Sequence, residues 1–498
     1  MLTFGVVASL VVAAATWWRR IAGLLLVLAA LPWALHHPST PRTMVLAGMV
    51  GALQVAYLLR VAVNRRRGQT LQAGSSLLMW VTGVWGVAGL LSLFNLPWAS
   101  MMVTVREYYA AVPGRTWRDV WVAWWTIPED FPHFSVVAAL LTVQAALLAW
   151  MVWREVRQSS SVGAQIAVAQ VIGLCVALGF GLAEAAGADL TPLRGNSMIH
   201  HISGSIQSLA GNRGWLSQYL TYVMPYTLVL FLWLPLTAAR LAVGTVTAAT
   251  VVGLVFAFQR GGWVVGAVLL AALAVVVAAG PLESATRSRF ILRRVGIMVT
   301  AVAILALLMG AAVRILMPRV TVEDAAVEIG DVTLPFGKYL ARIQEEKALG
   351  GREKYWPVAW EMWKMHPLIG SGIEGFAYQY AAEVEAPTGR LHGQHDPVPL
   401  AASSHNIYLQ TAVGTGLLGL TGLLAIFGLG LRAMVRTATA DNTPESQRML
   451  SLAAGGSLLA IMIYGLVQEV TYIHALRLML CCAVGLLAGG ESALKREV

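Results

Sequence analysis

Long apolar runs alternate with short polar punctuation along this chain, and few of the runs keep the polar stripe that a helix on a water-soluble core would show. Runs long enough to cross a bilayer as helices, which takes about 20 residues, fall at 2–18, 21–35, 43–63, 73–97, 134–153, 162–186, 214–237, 241–258, 263–279, 295–317, 407–431, 449–468 and 475–490. The pattern predicts an all-α polytopic membrane protein: a bundle of about 12–13 transmembrane helices with a large, partly helical loop between the tenth and eleventh spans. It divides the chain into N-terminal transmembrane helices at 1–317, the large loop at 318–404 and C-terminal transmembrane helices at 405–498. No internal repeat or low-complexity tract is visible, and the loop lengths do not suggest the paired halves of many transporters.

Composition narrows the class further. Of 498 residues, 57% are hydrophobic and only 12% charged, with a mean hydropathy of +0.68, which excludes a soluble globular protein. The net charge of +10 does not point to nucleic acid, because the basic residues are spread through short loops and no nucleic-acid motif accompanies them. They serve topology instead. Arg19 and Arg20, Arg65 to Arg67, Arg154 and Arg157, Arg240, Arg287 to Arg294, Arg432 to Arg448, and Lys495 with Arg496 fall on one side of the span count. That side is expected to be cytoplasmic, with the N-terminus outside and the C-terminus inside. The first apolar run has no basic residue ahead of it and no small-residue cleavage site, so it reads as a retained span. Cys175, Cys481 and Cys482 lie in apolar runs and read as packing residues, not as a disulfide or zinc framework.

Three outer segments are too long to be simple turns: 99–134, 187–213 and 318–404. In the first, Arg106, Tyr108, Tyr109, Trp121, Trp124 and Trp125 suggest an aromatic belt at headgroup depth. Arginines on the outer side run against the charge bias and need another reason. Arg260 lies between two spans joined by almost nothing. It is either a snorkelling helix-end marker or a guanidinium able to grip a phosphate, with Gly261 and Gly262 letting a ligand approach the backbone. Arg352 opens a stretch in which Trp356, Trp360 and Trp363 recur at helical spacing until Pro367 stops the helix. Asn212, Arg213 and Gln218 stand at the mouth of another span, where Gln218 is expected to be paired structurally.

The stretch Ser403 to Leu420 joins the longest outer segment to a new span. Ser403 or Ser404 would cap the helix, placing His405 in the first turn, where the macrodipole favours a neutral imidazole able to act as a base. Asn406 and Gln410 share a face, and Gly416 and Gly419 leave room for a neighbouring backbone.

With these segments in order, the sequence resembles the O-antigen ligase and polymerase superfamily of bacterial envelope glycosyltransferases. The resemblance rests on Gly211-Asn212 ahead of a polar-mouthed span, and on Arg260-Gly261-Gly262-Trp263 between two spans. Next come Arg352 with its tryptophan helix and His366-Pro367-Leu368-Ile369-Gly370-Ser371-Gly372, then His405-Asn406-x-x-Leu409-Gln410 leading to Gly416-x-x-Gly419. It covers about the C-terminal three-fifths of the chain. The resemblance implies a GT-C-type membrane enzyme in the bacterial inner membrane with a periplasmic site. Such an enzyme takes a glycan from a polyprenyl pyrophosphate carrier and joins it to an acceptor hydroxyl of lipid A core or of another glycan.

By the same resemblance, Arg260, Arg352 and the additional Arg213 would hold the donor pyrophosphate and His405 would stand near the acceptor, supported by Asn406, Gln410, Gly261 and Gly262. Gly414 stands where relatives often carry an acid. The expected reaction is inverting and metal-independent, with no cofactor, because arginines can stabilise a pyrophosphate leaving group while a base receives the acceptor proton. The outer loops contain no Asp-x-Asp, and His392, His395 and Asp396 read as an incidental cluster, not a ligand set. A polymerase of the same superfamily and a lipid-linked sugar transporter are the alternatives. Largely clean spans with polar groups gathered on the outer side favour an enzyme over a transporter.

Overall fold

A computed structural model describes residues 2–35, 40–66, 76–96, 133–188, 190, 206–234, 238–257, 259, 261–269, 326–329, 332–335, 352–394, 403–440 and 443–494. The first helices are α1 (Leu2–Trp18), α2 (Ala22–Ala30), α3 (Pro41–Arg66), α4 (Leu77–Leu91), α5 (His133–Gln158) and α6 (Ser160–Ala185). After them come α7 (Arg213–Trp233), α8 (Ala238–Phe256) and α9, residues 261–269. The outer helices α10 (Arg352–Met365) and α11 (Phe376–Tyr380) precede α12 (Ile407–Thr439), α13 (Glu445–Tyr464) and α14 (His474–Leu494).

Among the described residues, eight helices are long and apolar enough to cross a membrane, while the first two apolar helices are shorter. The expected tenth span, 295–317, and the aromatic segment around Trp121 lie outside the described residues. A two-stranded antiparallel hairpin, Ala326–Ile329 against Val332–Pro335, is the only sheet among them.

Helix α14 is the centre of the bundle. It is buried over almost its whole length, including the polar His474 and Arg477 of its first turn. Small residues let α5 come close: Gly485 faces Ala149 and Val152, and Gly489 faces Val156 and Trp153. The arginine-rich ends of α3, α5 and α12 gather at one end of the bundle, where Arg436 pairs with Glu491 of α14 at 3.0 Å. The start of α12 lies at the other end.

Near that start, α12 is broken. Gly416 takes φ 65° and ψ −162°, so the helix cannot close its own hydrogen bonds across this residue. A break inside a membrane helix must be answered by other protein groups. The chain just after α10 supplies them. Leu417 and Leu418 donate their amides to the carbonyls of Pro367 (2.7 Å) and Leu368 (3.1 Å), while the Val413 and Gly414 carbonyls accept from the amides of Ser371 (3.1 Å) and Gly372 (3.0 Å). Pro367 ends α10 as expected and turns its chain into this gap, and a Cβ on Gly416 would overlap the Leu368 backbone. The surface helix α10 then buries Val358, Ala359 and Met362 against Phe376, Tyr380 and Val413. Trp360 stays half exposed and packs on Trp363, in keeping with an interfacial anchor.

Helix α13 ends four residues before the predicted 468. Gly465, Leu466 and Val467 turn back onto Ile461, Ile463 and Tyr464, and the chain is irregular from there to His474. Apolar residues continue through that stretch, so hydropathy alone carries the span too far.

Two glycines of α12 separate the two demands on it. Gly416→Ala should destabilise the protein by about 2 kcal/mol or more, through left-handed backbone and overlap with Leu368. Gly428, with open space around its Cα, should gain roughly 0.5–1 kcal/mol as Ala from helix propensity. Thermal unfolding of the purified protein in detergent checks both, and equal shifts would contradict the break as described.

Candidate functional site

The turn that follows α13 folds its amides back onto the helix, which leaves its own carbonyls to outside donors, and three consecutive ones are taken. The Gly465 carbonyl accepts from the Ile407 amide (2.8 Å), Leu466 from Asn406 Nδ2 (3.1 Å) and Val467 from Arg352 Nε (2.8 Å). Arg352 Nη2 also donates to Gln468 Oε1 at 3.2 Å. A cation at a helix C-terminus is also favoured by the macrodipole. The arginine that opens α10 and the start of α12 are thereby held against one short segment, 465–469.

The same segment carries Glu469, and its carboxylate Oε2 lies 2.9 Å from His405 Nδ1. Glu469 is 6% exposed against 34% for the His405 side chain, so the carboxylate is the inner partner and the imidazole the outer one. Burial works to raise the Glu469 carboxyl, but the adjacent His405 outweighs it and the group is held below the usual carboxylate range. An ionised carboxylate accepts only, so Nδ1 donates to it and Nε2 is the nitrogen left for another partner. Tyr355, one turn after Arg352, sets its ring edge-to-face on the imidazole with centroids 5.5 Å apart.

The helix start differs from expectation. Asn406, not Ser403 or Ser404, is the cap: its Oδ1 accepts from the amides of Tyr408 (2.9 Å) and Leu409 (3.0 Å). His405 therefore stands before the helix in a left-handed conformation, φ 50°, and not in the first turn. Its orientation comes from Glu469 and Tyr355 rather than from the macrodipole. The serines act locally instead: Ser403 Oγ accepts from the His405 amide at 3.3 Å, and Ser404 Oγ donates to the Asn406 carbonyl at 3.0 Å. His405 also does not stand without an acid. Gly414 carries none, but Glu469 supplies a carboxylate from a segment 64 residues away.

The remaining predicted segments approach the same place. Asn212 caps α7, its Oδ1 accepting from Gly214 N at 2.7 Å, and Arg213 is the first residue of that helix. Gln259 lies beside Gly214. Gly261 packs on the Tyr464 ring and Val467, and a Cβ on Gly262 would collide with Ser217 Oγ of α7. The room left by these two glycines is thus filled by protein. Arg260 lies outside the described residues, while both its neighbours in this packing touch α7 or the end of α13. Gln218, expected to be paired, is fully buried, and neither amide atom meets a partner among the described residues.

Beneath His405 runs a second polar layer. Gln410 Oε1 accepts from the Ser404 amide (3.0 Å), and its Nε2 donates to Glu374 Oε2 (3.0 Å). Glu374 Oε1 in turn accepts from Arg477 Nη2 at 3.1 Å, in an ion pair only 2% and 1% exposed. Burial raises the Glu374 carboxyl despite Arg477 and Gln410 beside it. The sequence alone singles out none of Glu469, Glu374 and Arg477. A lone glutamate in an apolar gap, and an arginine just inside a span, were the signals that could have found them.

No group of three potential metal ligands occurs among the described residues; His392 is among them, His395 and Asp396 are not. Residues 225–424 match the family model described as O-antigen ligase. The match takes in Arg352, His405, Asn406, Gln410 and the break at Gly416, and ends before Glu469. No curated protein matches the chain.

A carboxyl held below its ordinary value contributes stability that is complete above the unfolded-state pKa and is lost as pH falls through the folded one. Glu469→Gln removes that contribution. The difference in Tm between wild type and Glu469→Gln should therefore be largest near pH 7 and shrink below about pH 4, and a difference independent of pH would contradict the His405–Glu469 pairing.

Proposed function

We propose, on the premise of the match between residues 225–424 and the O-antigen ligase family model, that the protein transfers a glycan from a polyprenyl pyrophosphate carrier to a hydroxyl of the lipid A core, at the periplasmic face of the bacterial inner membrane. The observation that carries this reading is the single hydrogen-bonded group formed by Arg352, Gln468, Glu469 and His405 at the end of the bundle opposite the arginine-rich one. Base and cation stand together there, and the charge bias of the loops supports an outer position for that end.

In this mechanism the acceptor oxygen attacks the anomeric carbon as the bond from that carbon to the pyrophosphate oxygen breaks, inverting the configuration. His405 Nε2 takes the acceptor proton, and Glu469 at Nδ1 stabilises the imidazolium that forms. The leaving pyrophosphate carries away the bonding electron pair. Its added negative charge is met by Arg352, with Arg260 and Arg213 as further donor contacts. Asn406 acts on the backbone alone, capping α12 and holding the Leu466 carbonyl, which fixes the chain on either side of His405. No step requires a metal or a cofactor.

The assay is transfer by purified full-length protein from a polyprenyl pyrophosphate-linked glycan to lipid A core. Arg352→Ala, His405→Ala and Glu469→Gln should each keep the membrane fold and lose about 10²–10³-fold in kcat/KM. Full activity in all three would sink the site. A product ladder on the carrier lipid without core acceptor would mark a polymerase instead.

A further inference from the structure

His405 and Glu469 belong to two separate chain segments, and neither segment is a regular element that could fix their spacing by itself. His405 sits in left-handed backbone ahead of the α12 cap, and Glu469 sits in the irregular stretch before α14. Both segments lead back to one buried guanidinium. Arg477 Nε donates to the Thr471 carbonyl (2.8 Å), two residues after Glu469. Its Nη2 reaches Glu374, then Gln410, then the amide of Ser404, the residue before His405. The third nitrogen, Nη1, donates to the Ala138 carbonyl of α5 at 3.0 Å, anchoring the group to the bundle.

We propose that Arg477 and Glu374 are positioning residues of the transfer reaction: one guanidinium sets the distance between His405 and Glu469 by holding the Glu469 segment directly and the His405 segment through Glu374 and Gln410. The polarity of the chain gives this content. The side-chain amide of Gln410 has a donor end and an acceptor end. Glu374 accepts only, so the Nε2 of Gln410 must face it and the Oε1 must face the Ser404 amide. With a neutral amide at 374, its carbonyl would stay with the charged Arg477 and its NH2 would face Gln410. Gln410 would then turn over to accept that bond and present its own NH2 to the Ser404 amide. Two donors would meet, and the anchor on the His405 segment would be lost.

The same polarity predicts a rescue. In Glu374→Gln/Gln410→Glu the carbonyl of residue 374 still accepts from Arg477, its NH2 donates to the carboxylate at 410, and that carboxylate still accepts from Ser404. The cluster keeps the same net charge. A merely structural ion pair has no reason to tolerate the exchange, because the double variant moves the carboxylate away from the arginine.

The test uses the full chain in detergent, with two readouts. One is the rate at which diethyl pyrocarbonate modifies His405, followed by mass spectrometry, and it requires no activity. The other is glycan transfer, which rests on the function proposed above. Glu374→Gln and Gln410→Glu should each change the His405 modification rate severalfold and lower kcat by at least about tenfold, with a smaller change in KM for the donor. The double variant should return both readouts to within about threefold of wild type. If wild type transfers no glycan, the proposed function fails and the modification rates alone decide the positioning role. A Glu374→Gln protein with wild-type His405 reactivity and kcat would overturn the inference, as would a double variant no closer to wild type than either single one.

Discussion

The turn after α13, Gly465 to Val467, offers three carbonyls that accept hydrogen bonds from the start of α10 and the start of α12, and the rest of the site follows from this meeting. Backbone groups that lose their helical partners must find others or remain in contact with solvent. Here Arg352 Nε, Asn406 Nδ2 and the Ile407 amide take them in turn, so two helix starts are drawn onto one helix end. Glu469 follows two residues after the last of these carbonyls, which is why its carboxylate arrives beside the residue that precedes the α12 cap. The pairing of His405 with Glu469 is thus a consequence of how the backbone of the turn after α13 is satisfied.

A similar economy governs the break in α12. A proline stops α10, a left-handed glycine opens α12, and the two pieces of chain exchange backbone hydrogen bonds on both sides of the gap. That exchange carries Glu374 underneath His405. Burying a charged pair is costly, and it persists only where partners answer the charges. All three guanidinium nitrogens of Arg477 have acceptors, and both oxygens of Glu374 accept. The layer beneath His405 is hydrogen-bonded throughout for that reason. Tyr355 adds a ring edge from α10, so the imidazole is bounded by an outer helix and an inner carboxylate.

Several parts of this arrangement are legible in the one-dimensional pattern. Eight of the long apolar runs correspond to helices of membrane-crossing length among the described residues, Pro367 ends the tryptophan helix, and the polar residues at the mouths of α7 and α12 are at those mouths. Asn212 and Asn406 cap by the same local chemistry. Other parts are not legible. Assigning the cap to a serine moves His405 into the helix by one turn, because Ser and Asn are almost equally good caps and only the backbone decides between them. The end of α13 is also invisible to hydropathy, since Leu466, Val467 and Val470 continue the apolar run past the point where the helix unwinds.

By itself, the sequence determined that this chain is a helical membrane protein, which side gathers its arginines, and that Arg352 and His405 stand in polar stretches beside apolar spans. Those conclusions depend on hydropathy, charge and local spacing, all of which act over a turn or two of helix. The tertiary structure alone decided that His405 has an acid partner, that the partner is Glu469, and that Glu374 and Arg477 stand behind both. Such pairings join residues tens to hundreds of positions apart. They are fixed by which helix ends meet and by the requirement that buried donors and acceptors be matched, a constraint that no single stretch of chain contains.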